Sequence, residues 1–126
     1  MDPQLMARTA VVLLAFTAAG GLLMAGMRFS GSAHPPPLVT MLHGVLASSG
    51  LTLLLFLGIA GSLPTLAWAG IALLLVAALG GLVLNLGYHW QNKALPIWLI
   101  LVHAAVAAVG FVVLAMAAWN LGAAAT

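Results

Sequence analysis

Cysteine is absent from the 126 residues, which removes disulfides, thiolate metal sites, iron–sulfur clusters and covalent C-x-x-C-H haem attachment. Acid is nearly absent too: Asp2 stands alone against Arg8, Arg28 and Lys93. Only 3% of residues are charged, where a soluble domain carries roughly a quarter. The pI near 10 therefore reflects three bases and one acid, not a basic surface, and no cluster exists to touch the phosphates of a nucleic acid. No acid lies within an apolar run, no nucleophile sits visibly beside a base, and no glycine-rich phosphate loop follows a strand. A stand-alone enzyme is therefore the less expected class.

What the chain has in abundance is apolar surface, at 65% of residues. Four hydrophobic runs extend over Thr9–Met27, Leu38–Ala60, Leu66–Gly87 and Ile97–Trp119, each near the ~20 residues that cross a hydrocarbon core. They are continuous and lack the in/out alternation of barrel strands. The expected fold is an all-α membrane protein with four transmembrane helices, one domain over 1–126, lying in the lipid bilayer as a multi-pass protein of the bacterial inner (cytoplasmic) membrane. The first run is expected to be a retained helix and not a removable leader, because it pairs with an internal run as described next. The stretches FSGSAHPPP and YHWQNKALP are long loops on one side. Arg28 and Lys93 there, against Arg8 near the termini, lean toward cytoplasmic long loops. The stretch NLGAAAT is expected to be a short tail.

One stretch occurs twice. Pro36 to Leu54 reads PPLVTMLHGVLASSGLTLL and Pro96 to Leu114 reads PIWLILVHAAVAAVGFVVL, so Pro36, His43, Ala47, Gly50 and Leu54 recur sixty residues later as Pro96, His103, Ala107, Gly110 and Leu114. The same offset superimposes Ala18, Gly20, Gly21 and Leu22 on Ala78, Gly80, Gly81 and Leu82. A two-helix hairpin over about 10–60 is thus repeated over about 70–120, and a fixed-period repeat dictates architecture. Each repeat holds two spans, so the halves insert with the same orientation and form a pseudo-twofold four-helix bundle about an axis along the membrane normal.

Depth and face arithmetic single out a site. His43 and His103 each lie seven residues beyond a helix-starting proline, about 10 Å into the apolar slab at 1.5 Å per residue. Gly20 and Gly80 fall at about the same depth on the other two helices. Ala47 and Gly50, like Ala107 and Gly110, follow their histidine on its own helical face, which predicts a slot beneath each imidazole. Histidine inside a membrane span is costly and usually functional. Two neutral imidazoles on diagonal helices would bind above and below one flat haem, His43 and His103 being its metal ligands. Interhelical hydrogen bonding without a cofactor, and a proton, quinone or other metal site, remain as alternatives.

The order glycine helix, histidine helix, glycine helix, histidine helix resembles the four-helix core of transmembrane b-type cytochromes, including cytochrome b of quinol-oxidising bc complexes, over about Val11 to Ala118. The resemblance implies one non-covalent haem b with His43 and His103 as axial ligands, and Gly20 and Gly80 as haem contacts. Two-haem members carry a further histidine thirteen or fourteen residues along each ligand helix; Phe56 or Leu57 and Met116 or Ala117 stand there, so a single haem is expected. One haem near one face implies a redox partner protein or a quinone on that side, and a larger membrane complex or homo-oligomer as the setting.

Arg28 and Lys93 lie in the loops toward which the histidines are displaced, as candidate propionate partners or as headgroup anchors. His34 and His89 are not related by the repeat and are expected to be loop residues. A copper or zinc site would use all four histidines with Met24, Met27 or Met41. Asn85, whose repeat partner is Ala25, is a buried amide available to orient a ligand or hold a quinone head. Other classes are a haem-free structural or assembly subunit and a small repeat-built proton or metal transporter.

Overall fold

The computed structural model describes residues 2–121. Its elements are α1 (Pro3–Phe29), α2 (Pro37–Ile59), α3 (Thr65–Leu84), a π-helical turn (Asn85–His89) that continues α3, and α4 (Ile97–Asn120). All four helices are long and apolar enough to cross a membrane. The expected all-helical fold of four such spans is therefore what the chain adopts.

Helix ends follow local chemistry. α1 starts six residues before the apolar run does, because the Asp2 side chain accepts from the backbone N–H of Gln4 at 2.9 Å and Pro3 presets the first turn. α2 begins on Pro37, and α3 and α4 begin directly after Pro64 and Pro96. At the other end, α1 and α2 stop at Gly31 (φ 104°) and Gly61 (φ 72°). Ser32 and Ser62 there donate back to the carbonyls of Met27 and Leu57, the two-bond Schellman arrangement that needs a left-handed residue. α4 runs through Asn120, taking in the start of the expected tail; the tail from residue 122 onward lies outside the described residues.

The helices pack as a square. Each hairpin, α1 with α2 and α3 with α4, makes the closest contacts; α1 also meets α4 and α2 meets α3. The diagonals are α1/α3 and α2/α4. Buried positions obey the sixty-residue offset: Ala7 and Ala67, Val11 and Ile71, Leu14 and Leu74, Gly50 and Gly110, Leu54 and Leu114 are all buried. The duplication seen in the sequence is thus a duplication of packing.

The two ends of the bundle differ. Toward the termini and the short α2–α3 turn, Ala10, Leu14, Leu54, Ile71, Leu74 and Leu114 form a dry core that continues into Met6, Val11 and Leu57. Large apolar side chains such as Phe16, Leu22, Leu79 and Val102 face outward, as lipid-facing positions must. At the opposite end the long loops tie to one another. Arg28 Nε donates to the Leu95 carbonyl at 2.9 Å and the Leu95 N–H reaches the Ala33 carbonyl at 3.4 Å. Leu95 and Pro35 are buried beneath this seam.

The π turn is the one departure from symmetry inside the helices. Lys93 donates to the Tyr88 carbonyl across Asn92 (φ 52°), the same two-bond cap that Gly31 makes in the first repeat. Asn92 is sixty-one residues after Gly31. One residue is therefore inserted at the end of α3, which the wider π winding absorbs, and the following loop is one residue shorter.

Candidate functional site

His43 and His103 sit on the diagonal helices α2 and α4, at the junction between the dry core and the loop end. Each imidazole leans across its own hairpin. His43 Nδ1 lies 2.9 Å from the Thr17 carbonyl on α1 and His103 Nδ1 lies 2.8 Å from the Ala77 carbonyl on α3. A carbonyl only accepts, so Nδ1–H is the donor in both, and Nε2 of the neutral ring keeps its lone pair.

The doubled glycines explain why those carbonyls are reachable. Side chains on a helix tilt toward its N-terminus, so residues three and four positions on normally cover a given carbonyl. For Thr17 these are Gly20 and Gly21; for Ala77 they are Gly80 and Gly81. A Cβ at Gly21 would lie 3.1 Å from His43 Cε1, and one at Gly81 3.3 Å from His103 Cε1. At Gly20 and Gly80 it would lie 3.9 Å and 3.6 Å from the respective Nδ1. The glycine pairs are cradles for the imidazoles, and Gly21 and Gly81 hold the tighter places.

The two rings meet edge to face, with centroids 6.3 Å apart and planes at 60°. Two imidazoles that share one metal ion from opposite sides, at about 2 Å per metal–nitrogen bond, hold their ring centres roughly 6 Å apart. Beside them is a cavity of about 100 Å³ on the loop side, lined among others by Met24, Thr40, Asn85 and Ile100. Asn85 Oδ1 is buried without a partner, and Thr40 Oγ1 lies 3.3 Å from the Pro36 carbonyl and 3.7 Å from Met24 Sδ, either of which can accept its proton.

No protein-family model, curated protein or solved structure matches the chain. The chemistry of these residues carries the functional argument by itself.

Other predicted site residues occupy different places. Gly50 and Gly110 are about two turns deeper, where a Cβ would meet Leu14 Cγ at 2.9 Å and the Gly70 carbonyl at 3.2 Å. They let the helices of each hairpin touch, and the slot expected beneath the histidines is filled by Leu14 and Leu74. Ala47 and Ala107 are half-buried between these levels. Arg28 is engaged by Leu95, and the exposed Lys93 donates to Gln91 Oε1 at 2.6 Å. Neither lines the cavity.

One grouping was legible in the sequence only as part of the four-histidine copper or zinc alternative. His34 and His89, expected to be loop residues, lie edge to face with ring centroids 5.9 Å apart. His34 belongs to the loop before the triple proline and His89 closes the π turn. Only the inserted residue, which no hydrophobic period reveals, brings them together.

Proposed function

We propose that the chain is a b-type cytochrome that binds one haem b through His43 and His103 and carries single electrons in the membrane. The observation that supports this best is the pair of imidazoles with centroids 6.3 Å apart, each held by an Nδ1–H bond to a backbone carbonyl so that Nε2 is the nitrogen left for a metal. Metal-binding histidines characteristically donate their other nitrogen in this way, which fixes ring orientation and raises ligand basicity.

The donor set fits haem iron: two nitrogen ligands, no thiolate, and a surrounding apolar bundle. The cavity is smaller than a porphyrin, so binding requires Met24, Leu84 and Ile100, all on its wall, to turn aside. When bound, haem supplies reversible one-electron chemistry. The chain's own residues hold and orient it: the carbonyls of Thr17 and Ala77 restrain the rings, and the dry core from Leu14 to Leu114 closes the inner side to water. The displacement of the pair toward the loop end supports exchange with a redox protein or a quinone at that face. The bacterial cytoplasmic membrane, as part of a larger complex or a homo-oligomer, is the setting we assign.

The visible spectrum of protein purified in detergent after expression with ample haem tests this. A Soret band with sharp reduced α and β bands, at one haem per chain, is expected. A colourless protein would sink the proposal and leave a packing or assembly subunit. The small size of the cavity favours one other reading, a single transition-metal ion between the same two nitrogens; stoichiometric metal without a porphyrin spectrum would establish it.

A graded result is expected from the glycine cradle. Gly21→Leu and Gly81→Leu should each lower the haem-to-protein ratio several-fold by displacing an imidazole. Gly44→Leu, on the same helix as His43 but with nothing within 4 Å of its Cβ position, should load normally. Equal loading in all three would remove the cradle role.

A further inference from the structure

Two imidazoles outside the His43–His103 pair are held together at the loop face. His34 and His89 have ring centroids 5.9 Å apart with planes at 84°, close to the 6.3 Å of the inner pair. His34 Nε2 and His89 Nδ1 are both buried and have no hydrogen-bond partner. Native proteins satisfy nearly all such groups, and each exception calls for a reason, an unplaced water or ion being a common one. Both rings line a cavity of about 330 Å³ whose remaining walls are Pro35, Pro36, Pro37 and Asn92; His89 and Pro35 stand between it and the inner cavity, which they also border. The proline wall cannot supply a backbone N–H to these nitrogens. The stiff triple proline and the π turn fix the rings from opposite sides.

We propose that His34 and His89 form a second, separate ligand pair that takes one late first-row transition-metal ion of the zinc, copper or nickel class. Imidazole nitrogen suits these ions, whereas magnesium and calcium demand oxygen ligands, and no carboxylate lines this cavity. An anion is disfavoured because Arg28 is bonded to the Leu95 carbonyl and Lys93 to Gln91, and neither lines the cavity. Among the described residues no third His, Cys, Asp or Glu joins the pair. Two protein ligands are thus supplied and the rest of the shell is water, which the width of the cavity accommodates. Such a site exchanges its ion with the exterior, in contrast to the inner pair beneath it. The inference does not rest on the haem reading, since it uses neither His43 nor His103.

The test is a titration of the full-length chain in detergent, stripped with chelator, with Zn²⁺, Cu⁺ and Ni²⁺ in turn, in competition with a chromogenic indicator. With at least one of the three, wild type should bind an ion whose affinity falls about tenfold or more in both His34→Gln and His89→Ala, the scale on which ligand-shell losses act. The His43→Ala/His103→Ala double variant should retain that ion. His34→Gln lies in a loop outside every helix, so it reports on the site even where His89→Ala disturbs the π turn. No binding to wild type, less than tenfold weakening in His34→Gln, or loss of the ion in the double variant with retention in His34→Gln would each overturn the proposal. The visible spectrum, measured on the same samples, reports on the inner pair separately.

Discussion

Replacing His103 with alanine should abolish the low-spin haem spectrum of the purified protein, and replacing His43 should do the same. The symmetry of the pair makes the two effects equal in kind: each ring stands on one diagonal helix and each donates to the facing carbonyl of its hairpin. Of the other possible ligands on the cavity wall, Met24 lies on α1 beside Thr40, and His89 lies on the π turn packed against His34. A five-coordinate haem with a broad high-spin spectrum, or a drop in loading of an order of magnitude, is therefore expected in either variant. His34→Ala should keep the low-spin bands, because its ring lines the outer cavity, and so should His89→Ala, whose ring borders both cavities but packs against His34. The bundle itself should persist, since the Thr17 and Ala77 carbonyls keep their own helical bonds and circular dichroism should show the same helicity. A His103→Ala protein with an unchanged spectrum would refute the clamp.

The same symmetry governs how much could be read from the sequence. The four spans, the hairpin repeat and the depth of the histidines follow from hydrophobic length and a sixty-residue offset, and the structure repeats the offset down to individual buried positions such as Leu54 and Leu114. The pairing of His43 with His103 on diagonal helices was legible for the same reason. The duty of the glycines was only half legible. Their presence at the level of the histidines is visible in register, but whether they clear room for a cofactor or for the imidazoles depends on which way each ring leans. That choice is set by carbonyl geometry at Thr17 and Ala77, which has no side-chain signature. Gly50 and Gly110 share the histidine's face by angle, yet Leu14 and Leu74 from the adjoining helices fill the space beneath. The loop end was the least legible part. A one-residue π insertion at Asn85–His89, compensated in the next loop, leaves every marker on either side in register and so conceals the turn that carries His89 to His34.

Gly110 marks a position where even a small substitution should cost the fold. A Cβ there would lie 3.1 Å from Leu73 Cβ and 3.2 Å from both the Gly70 carbonyl and Leu74 Cδ2, and one at Gly70 would lie 2.6 Å from Leu114 Cγ and 3.1 Å from the Gly110 carbonyl. α3 and α4 therefore cross with backbone against backbone, the close approach that small residues permit between membrane helices. A flexible side chain can step aside, but a helical carbonyl cannot without unwinding its turn. Gly110→Ala should destabilise the bundle by about 1–3 kcal/mol, the usual range for overpacking a filled core, and Gly110→Leu should force the hairpin apart. The measurement is reversible unfolding in mixed detergent followed by circular dichroism, with Gly44→Leu, whose added carbons would meet open space, as the reference. Because His103 stands two turns from Gly110 on the same helix, prising α4 away from α3 would also lengthen the His103–Ala77 bond and widen the 6.3 Å gap between the rings. Gly110→Leu should therefore lose stability and haem together, whereas Gly81→Leu should lose haem while the bundle unfolds near its normal midpoint. A Gly110→Leu protein with wild-type stability would show that the two helices are not held at this crossing.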